Sequence, residues 1–287
     1  MALTNTTTLN DLLPSITAEA LFVASEKSLM KGLVRNYTLA PGTGKTVTVP
    51  IYPNQTAAAM TEATAPTATA ISTSGVTLTV SEVGLSATVS DLSIVASASN
   101  VVADIGRLFG EAIARKIDGD LMAHFNTFSG QVGGSGEGLS GTATAALLFQ
   151  AIAKLRSNGY DTSSDCAIVL HPNIAYDVAS TLTSTFAAPA SQVGNDAMKN
   201  GLMGNLGGVP VYQSSLVNLA DGSTTGDYGC GIFHKDAIAL ATMQDIKIES
   251  QREATLRGFE IVGSAVYGTG ELYDGAGIRG SFDSTIE

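Results

Sequence analysis

Tryptophan is absent from this chain, cysteine occurs only twice, and charged side chains make up 14% of its 287 residues, against about 25% in ordinary soluble domains. Each scarcity excludes something. Cys166 and Cys230 form no CxxC pair and have only three histidines to join them, which argues against a disulfide framework, a structural zinc site and a redox motif. Both thiols read as small buried hydrophobes. With 15 Lys and Arg against 26 Asp and Glu, the net charge is −11, opposite in sign to what phosphate neutralisation by a sequence-reading nucleic-acid binder requires. Long apolar runs are missing too: the uncharged stretch 63–81 is mostly Thr, Ala and Ser, far from the roughly 20 apolar residues of a membrane-spanning helix. The first residues carry neither a basic nor an apolar leader region, so no secretory signal is expected and synthesis is expected inside the cell.

What is present is organised by periodicity. A first helix is expected over 14–32, with Pro14 in its opening turn and Gly32 at its end. This region is also the most basic, with Lys27, Lys31, Arg35 and Lys45, and no Lys or Arg follows over residues 46–106. Within that gap Val47, Val49 and Ile51 alternate with polar residues, and Val76, Leu78 and Val80 do the same, the signature of half-buried strands. The apolar parity then switches from even to odd positions at Leu85, Ala87 and Val89, beside Gly84, which predicts a bulge or a strand passing from one sheet to another. The segment between the strands, 55–74, has almost nothing to contribute to a core. A long two-stranded excursion follows, and an isolated ribbon of that kind needs a partner surface.

Residues 101–128 carry the strongest helical period, with apolar side chains at Val102, Ile105, Phe109, Ile113, Ile117, Leu121 and Phe125. Asn100 stands at the cap position, and the segment would run ~42 Å at 1.5 Å per residue. Asp104, Arg107, Glu111, Arg115 and Asp118 form a polar stripe with opposite charges placed to pair across a turn. A Gly-rich stretch, 130–141, reads as an internal boundary. Beyond it come a helix over 144–158, an apolar strand over 166–170, a helix entered through His171-Pro172, a glycine loop at 201–208, strands at 209–212, 231–234 and 237–241, and β alternation over 246–273. The middle third reads as a small α/β module.

Chemical motifs fail on inspection. Gly42-Thr43-Gly44-Lys45-Thr46 resembles the end of a P-loop, but Leu39 stands where its first glycine belongs and a strand pattern, not a helix, follows. Gly136, Gly138 and Gly141 match G-x-G-x-x-G without a preceding strand, which reads as a linker. His124, His171 and His234 have no metal-spaced neighbours, no G-x-S-x-G elbow occurs, and Asp118 and Asp120 read as a solvated pair. No catalytic, cofactor-binding or metal residue is assigned, and the chain is read as a non-enzyme.

The order of elements resembles the major capsid protein of tailed bacteriophages, the Hong Kong 97-type fold, over nearly the whole chain. The stretches that carry the likeness are 100–128, similar to the family's spine helix, together with Cys166 through Tyr176 and Gly201 through Val211. The resemblance implies an α+β chain with an N-terminal arm (1–45), an extended two-stranded loop (46–92), a peripheral domain with the spine helix (93–141), an axial α/β domain (142–242), return strands of the peripheral domain (243–270) and a C-terminal segment (271–287). It implies a virion shell of pentamers and hexamers closing icosahedrally around double-stranded DNA held without sequence specificity, made in the host cytoplasm. Portal, scaffold and decoration proteins are the partners it suggests, with no membrane and no cofactor. On this reading the inter-subunit candidates are Asp104, Arg107, Glu111, Arg115, Asp118, Glu62, Arg252 and Arg257, and the DNA-facing candidates are Lys27, Lys31 and Arg35. The excursion has no lysine, so the subunit cross-linking that some members perform there is not expected. Any scaffold is expected to be a separate protein, since only about 45 residues precede the excursion by the same alignment of elements. The alternatives are an encapsulin-like protein compartment with the same fold, a bacterial surface or adhesin protein, and a hydrolase with dispersed acid/base residues.

Overall fold

The computed structural model describes residues 28–52, 57, 59–60, 62, 71–96, 101–134, 141–162, 165–185, 204–220 and 226–286. The helix expected over 14–32 falls outside these residues except at its end, where a 3-10 turn spans Met30–Gly32. Asn100, Lys27 and residues 135–140 of the Gly-rich stretch also lie outside them.

Three sheets form. The short strand β1 (Arg35–Thr38) runs parallel to β10 (Ile238–Glu253), which pairs antiparallel with β11 (Gly258–Glu271), and β11 with β4 (Ser81–Ser90). Sixteen-residue β10 bulges between Thr242 and Lys247. The second sheet has six strands in the order β5 (Gln131–Gly133), β12 (Gly277–Asp283), β9 (Asp227–His234), β6 (Cys166–Leu170), β8 (Val209–Gln213), β7 (Asn205–Leu206). The third is the excursion itself, β2 (Thr46–Ile51) against β3 (Ser74–Thr79), in register from Thr46 opposite Thr79 to Ile51 opposite Ser74.

The parity switch in the sequence marks a change of sheet. β3 belongs to the excursion and β4 to the four-stranded sheet, and the chain passes between them at Val80, whose N–H donates to the Lys45 carbonyl at 2.9 Å. Gly84 is not a bulge: β4 stays in unbroken register with β11 from Ser81 to Ser90. Leu78 and Val80 are buried with Leu39, Ala239, Ala241 and Leu272 in a satellite core separate from the main one, which roots the hairpin on the body.

The helices are α1 (Asp91–Ala96), α2 (Val101–Ala123), α3 (Ala145–Ser157) and α4 (Pro172–Thr185). α2 continues as a 3-10 turn through Thr127, so the long segment exists but its last turn is wound more tightly than an α-helix. It joins the two large sheets. Near its start Phe109 lies over Gly263 of β11, where a Cβ would come within 2.7 Å of the ring; at its end Phe125 lies over Gly231 of β9, where a Cβ would come within 2.5 Å. Glycine at these two positions is what lets an aromatic ring touch the strand backbone. Phe125 also packs against Phe233 and Phe128, their rings tilted and their centroids 5.3 and 6.5 Å away, and all three are buried.

Around the six-stranded sheet the local chemistry agrees with the architecture. Thr144 caps α3 by accepting from the Leu147 N–H, and Leu148, Ala151, Ile152 and Leu155 are buried on one face. Every residue of β6 is buried, as a central strand covered on both faces requires. β7 and β8 form a hairpin whose two turn residues, Gly207 and Gly208, both have positive φ, the backbone that a two-residue turn demands. Both cysteines are buried, and burial pushes the Cys166 thiol up to about 11 and the Cys230 thiol up to about 12.

Two strands have weak sequence signals. β12 lies within the segment expected only as a C-terminal tail, yet it is an inner strand of the six-stranded sheet. β10 begins in the four-stranded sheet at Ile238, so the chain changes sheet at residues 235–237, ahead of the axial boundary expected at 242. The β10 bulge begins at that expected boundary.

Candidate functional site

Among the described residues no group of three or more His, Cys, Asp or Glu is placed to hold a metal ion. No described helix is long and apolar enough to cross a membrane. An open cleft of about 490 Å³ lies between the hairpin root and the body, lined by Tyr37, Tyr52, Tyr160, Tyr273 and the Arg35–Asp236 ion pair. His124 contacts the Thr269 hydroxyl at 3.0 Å, His171 stacks on Tyr228 with centroids 3.7 Å apart, and the His234 Nδ1 accepts from the Asp236 N–H. Each histidine is thus satisfied locally. Gly42 and Gly44 adopt positive φ in a turn leading into strand β2, not a helix, so the P-loop likeness ends with the sequence.

The surface candidates fall into three places. On α2, Asp104, Arg107 and Arg115 are exposed, and the Arg115 guanidinium donates to the half-buried Glu111 at 2.7 Å. One turn on, Lys116 donates to Asp120 at 2.6 Å, and Asp120 also accepts from the Tyr267 hydroxyl at 2.7 Å. Leu108, 63% exposed, interrupts this polar face. At the end of the four-stranded sheet, Arg252 bonds Asp91 at 3.0 Å and lies 4.9 Å over the Phe259 ring. Arg257 is exposed in the adjoining β10–β11 turn at φ +46°, and Leu92 and Leu256 stand exposed there as well. The third place is the excursion, where Glu62 is exposed together with Tyr52, Met60 and Ile71.

Asp118 is a correction. The sequence reading put it on the solvated stripe and paired it with Asp120 as a surface group, but it is 2% exposed and faces the body. Its carboxylate accepts from the Ser28 hydroxyl at 2.8 Å, the Leu29 N–H at 2.8 Å and the Met30 N–H at 3.2 Å. Burial raises its pKa, against the opposing effect of those three donors. The signal was available: Ala114 and Met122, four residues to either side, are both apolar and both buried. A second buried carboxylate went unmarked. Asp177 of α4, 1% exposed, accepts from the backbone N–H and hydroxyl of Thr285 and so ties down the C-terminal tail.

Of the basic residues expected to face DNA, Lys31 lies 3.9 Å from Asp245 and the Arg35 Nε donates to Asp236 at 2.5 Å, the bond that chiefly raises the Arg35 pKa.

A chain whose long helix bridges two sheets, and whose two-stranded excursion is a sheet of its own, has the architecture of a tailed-phage capsid subunit of the Hong Kong 97 type. The phage capsid protein family matches residues 73–279, and the chain belongs to that family. No curated protein matches the chain by sequence. Among solved structures, the fold is similar to the capsid of cyanophage P-SCSP1u (17% identity, TM-score 0.69, covering 90% of this chain and 89% of that one) and to Mycobacterium phage Che8 (20%, 0.67, 88% and 90%). It is also similar to a virus-like particle from Pyrococcus furiosus (8%, 0.61, 94% and 99%).

Proposed function

We propose that this capsid shell protein self-assembles as pentamers and hexamers into an icosahedral virion shell enclosing double-stranded DNA. The observation that carries the proposal is the excursion. Its hairpin pairs with no other strand among the described residues, and beyond the satellite core Tyr52, Met60 and Ile71 are 64%, 71% and 63% exposed. Large apolar side chains exposed on a two-stranded excursion call for a covering surface, and a neighbouring copy supplies it. The exposed face of α2, with Asp104, Arg107 and Arg115, and the β10–β11 turn, with Arg257 and the nearby Arg252–Asp91 pair, offer further contacts. The negative net charge suits a container that must not bind its polyanionic content tightly. Lys27, Lys31 and Arg35 are the basic residues proposed to face the DNA, with portal, scaffold and decoration proteins as assembly partners.

Nuclease digestion of purified particles tests the enclosed content. Double-stranded DNA that survives digestion until the particles are disrupted supports the proposal. Particles that hold a protein cargo and no protected DNA favour the compartment-shell alternative instead.

A further inference from the structure

We infer that Asp118 is the positioning residue that fixes the point from which the N-terminal arm leaves the spine helix α2, and so presents that arm for assembly; the assembly clause rests on the shell reading above. Three observations lead there. Asp118 is a carboxylate on the core-facing side of α2, where Ala114 and Met122 above and below it are apolar, so burial alone disfavours its charge. All three donors assigned to it come from one short segment, Ser28 to Met30, about ninety positions away in sequence. That segment opens the 3-10 turn Met30–Gly32, whose first N–H groups have no partner within the turn.

The arrangement is an anchor with a polar end and an apolar end. Met30 and Val34 are completely buried in the main core, and the carboxylate takes the Ser28 hydroxyl and the Leu29 and Met30 amides. Apolar burial fixes how deeply the segment sits but leaves it free to slide or rotate, because dispersion contacts have little directionality. Three directional bonds onto one carboxylate remove that freedom. Ser28 is therefore held at a fixed place and orientation on the helix. Replacing the acid by its amide does not preserve this: in Asp118→Asn the remaining side-chain oxygen keeps two donors, but the new NH2 group meets the Leu29 N–H, donor against donor.

Trypsin cleavage after Lys31 reads the anchor directly, because Lys31 lies inside the held segment and is cut only when that segment opens. At neutral pH the expected increase in cleavage rate is ~10-fold for Ser28→Ala, which deletes one donor, and ~100-fold for Asp118→Asn. Ser28→Thr, which restores the hydroxyl, should return to the wild-type rate. In a chain of this size the ~10-fold change corresponds to a fall of only ~2 °C in melting temperature, so particle yield is compared on folded chains. Particle yield should fall in the same order as cleavage rises. Equal cleavage rates in wild type and Ser28→Ala overturn the anchor, and this variant keeps the test decisive if Asp118→Asn does not fold. Faster cleavage with undiminished particle yield overturns the positioning role. If the wild-type chain forms no particles under any condition, the shell reading fails, while the cleavage series still decides the anchor.

Discussion

Reversing two charges on the outer face of α2 separates a contact between subunits from a solvated stripe. In Arg107→Glu/Arg115→Glu the pair between Arg115 and Glu111, 2.7 Å long with side chains 66% and 32% exposed, is replaced by two carboxylates one turn apart. An exposed pair at this spacing contributes about 0.3–0.5 kcal/mol, and the like-charge pair costs about as much again. Adding a smaller amount for Arg107, the body should lose no more than about 1–1.5 kcal/mol, or roughly 2–3 °C in Tm for a chain of this size. Repeated in every copy of a shell, each reversed face meets an unchanged neighbour, and the unfavourable contacts accumulate. The double variant should therefore melt nearly as the wild type does when dissociated, yet give few or no particles by sedimentation and negative-stain microscopy. Normal particle yield from a folded double variant would refute a subunit contact at this face, and a collapse in Tm would refute its surface placement.

Three further outcomes are expected. Removing residues 54–74 should leave a folded, soluble body, because the satellite core keeps Leu78 and Val80, but one that no longer closes shells; microscopy of that deletion is the check. Gly231→Ala places a Cβ within 2.5 Å of the Phe125 ring and should cost about 1–3 kcal/mol in chemical denaturation, as overpacking does. Burial lowers the pKa of His124 from its usual value, so the unfolded chain binds its proton more readily than the folded one. That contribution to stability is complete above about pH 6.5 and is lost as the pH falls toward the depressed folded value. Urea midpoints measured from pH 7.5 to 5 should fall less steeply for His124→Gln than for the wild type.

Local rules made much of this fold readable. β6 is an apolar run of the length a buried strand needs, Thr144 is a side-chain cap where the helical period starts, and the Gly207-Gly208 pair encodes its own turn. The parity switch correctly announced a change of sheet, although the crossing sits at Val80 and not at Gly84. β12 was hidden because only Ile278 and Phe282 mark its apolar face: Gly280 between them is emptied to admit Phe282 and Ile232, and Gly277 on the other face to admit Phe128. Its alternation is visible only once the partners that fill those gaps are known. Asp118 was misread for a related reason. A charge within a helical period reads as solvated unless its distant donors are known, and these come from the far end of the chain. The polar stripe itself was legible, since Asp104, Arg107 and Arg115 are exposed, but periodicity carries no information about what covers an exposed face.

The central claim is that this chain builds a closed shell from copies of itself. Size-exclusion chromatography with light scattering on the purified chain, followed by electron microscopy of the largest fraction, tests it most directly. The account expects closed particles, or discrete pentamers and hexamers that convert to them; a chain that stays monomeric across salt and crowding conditions would contradict it.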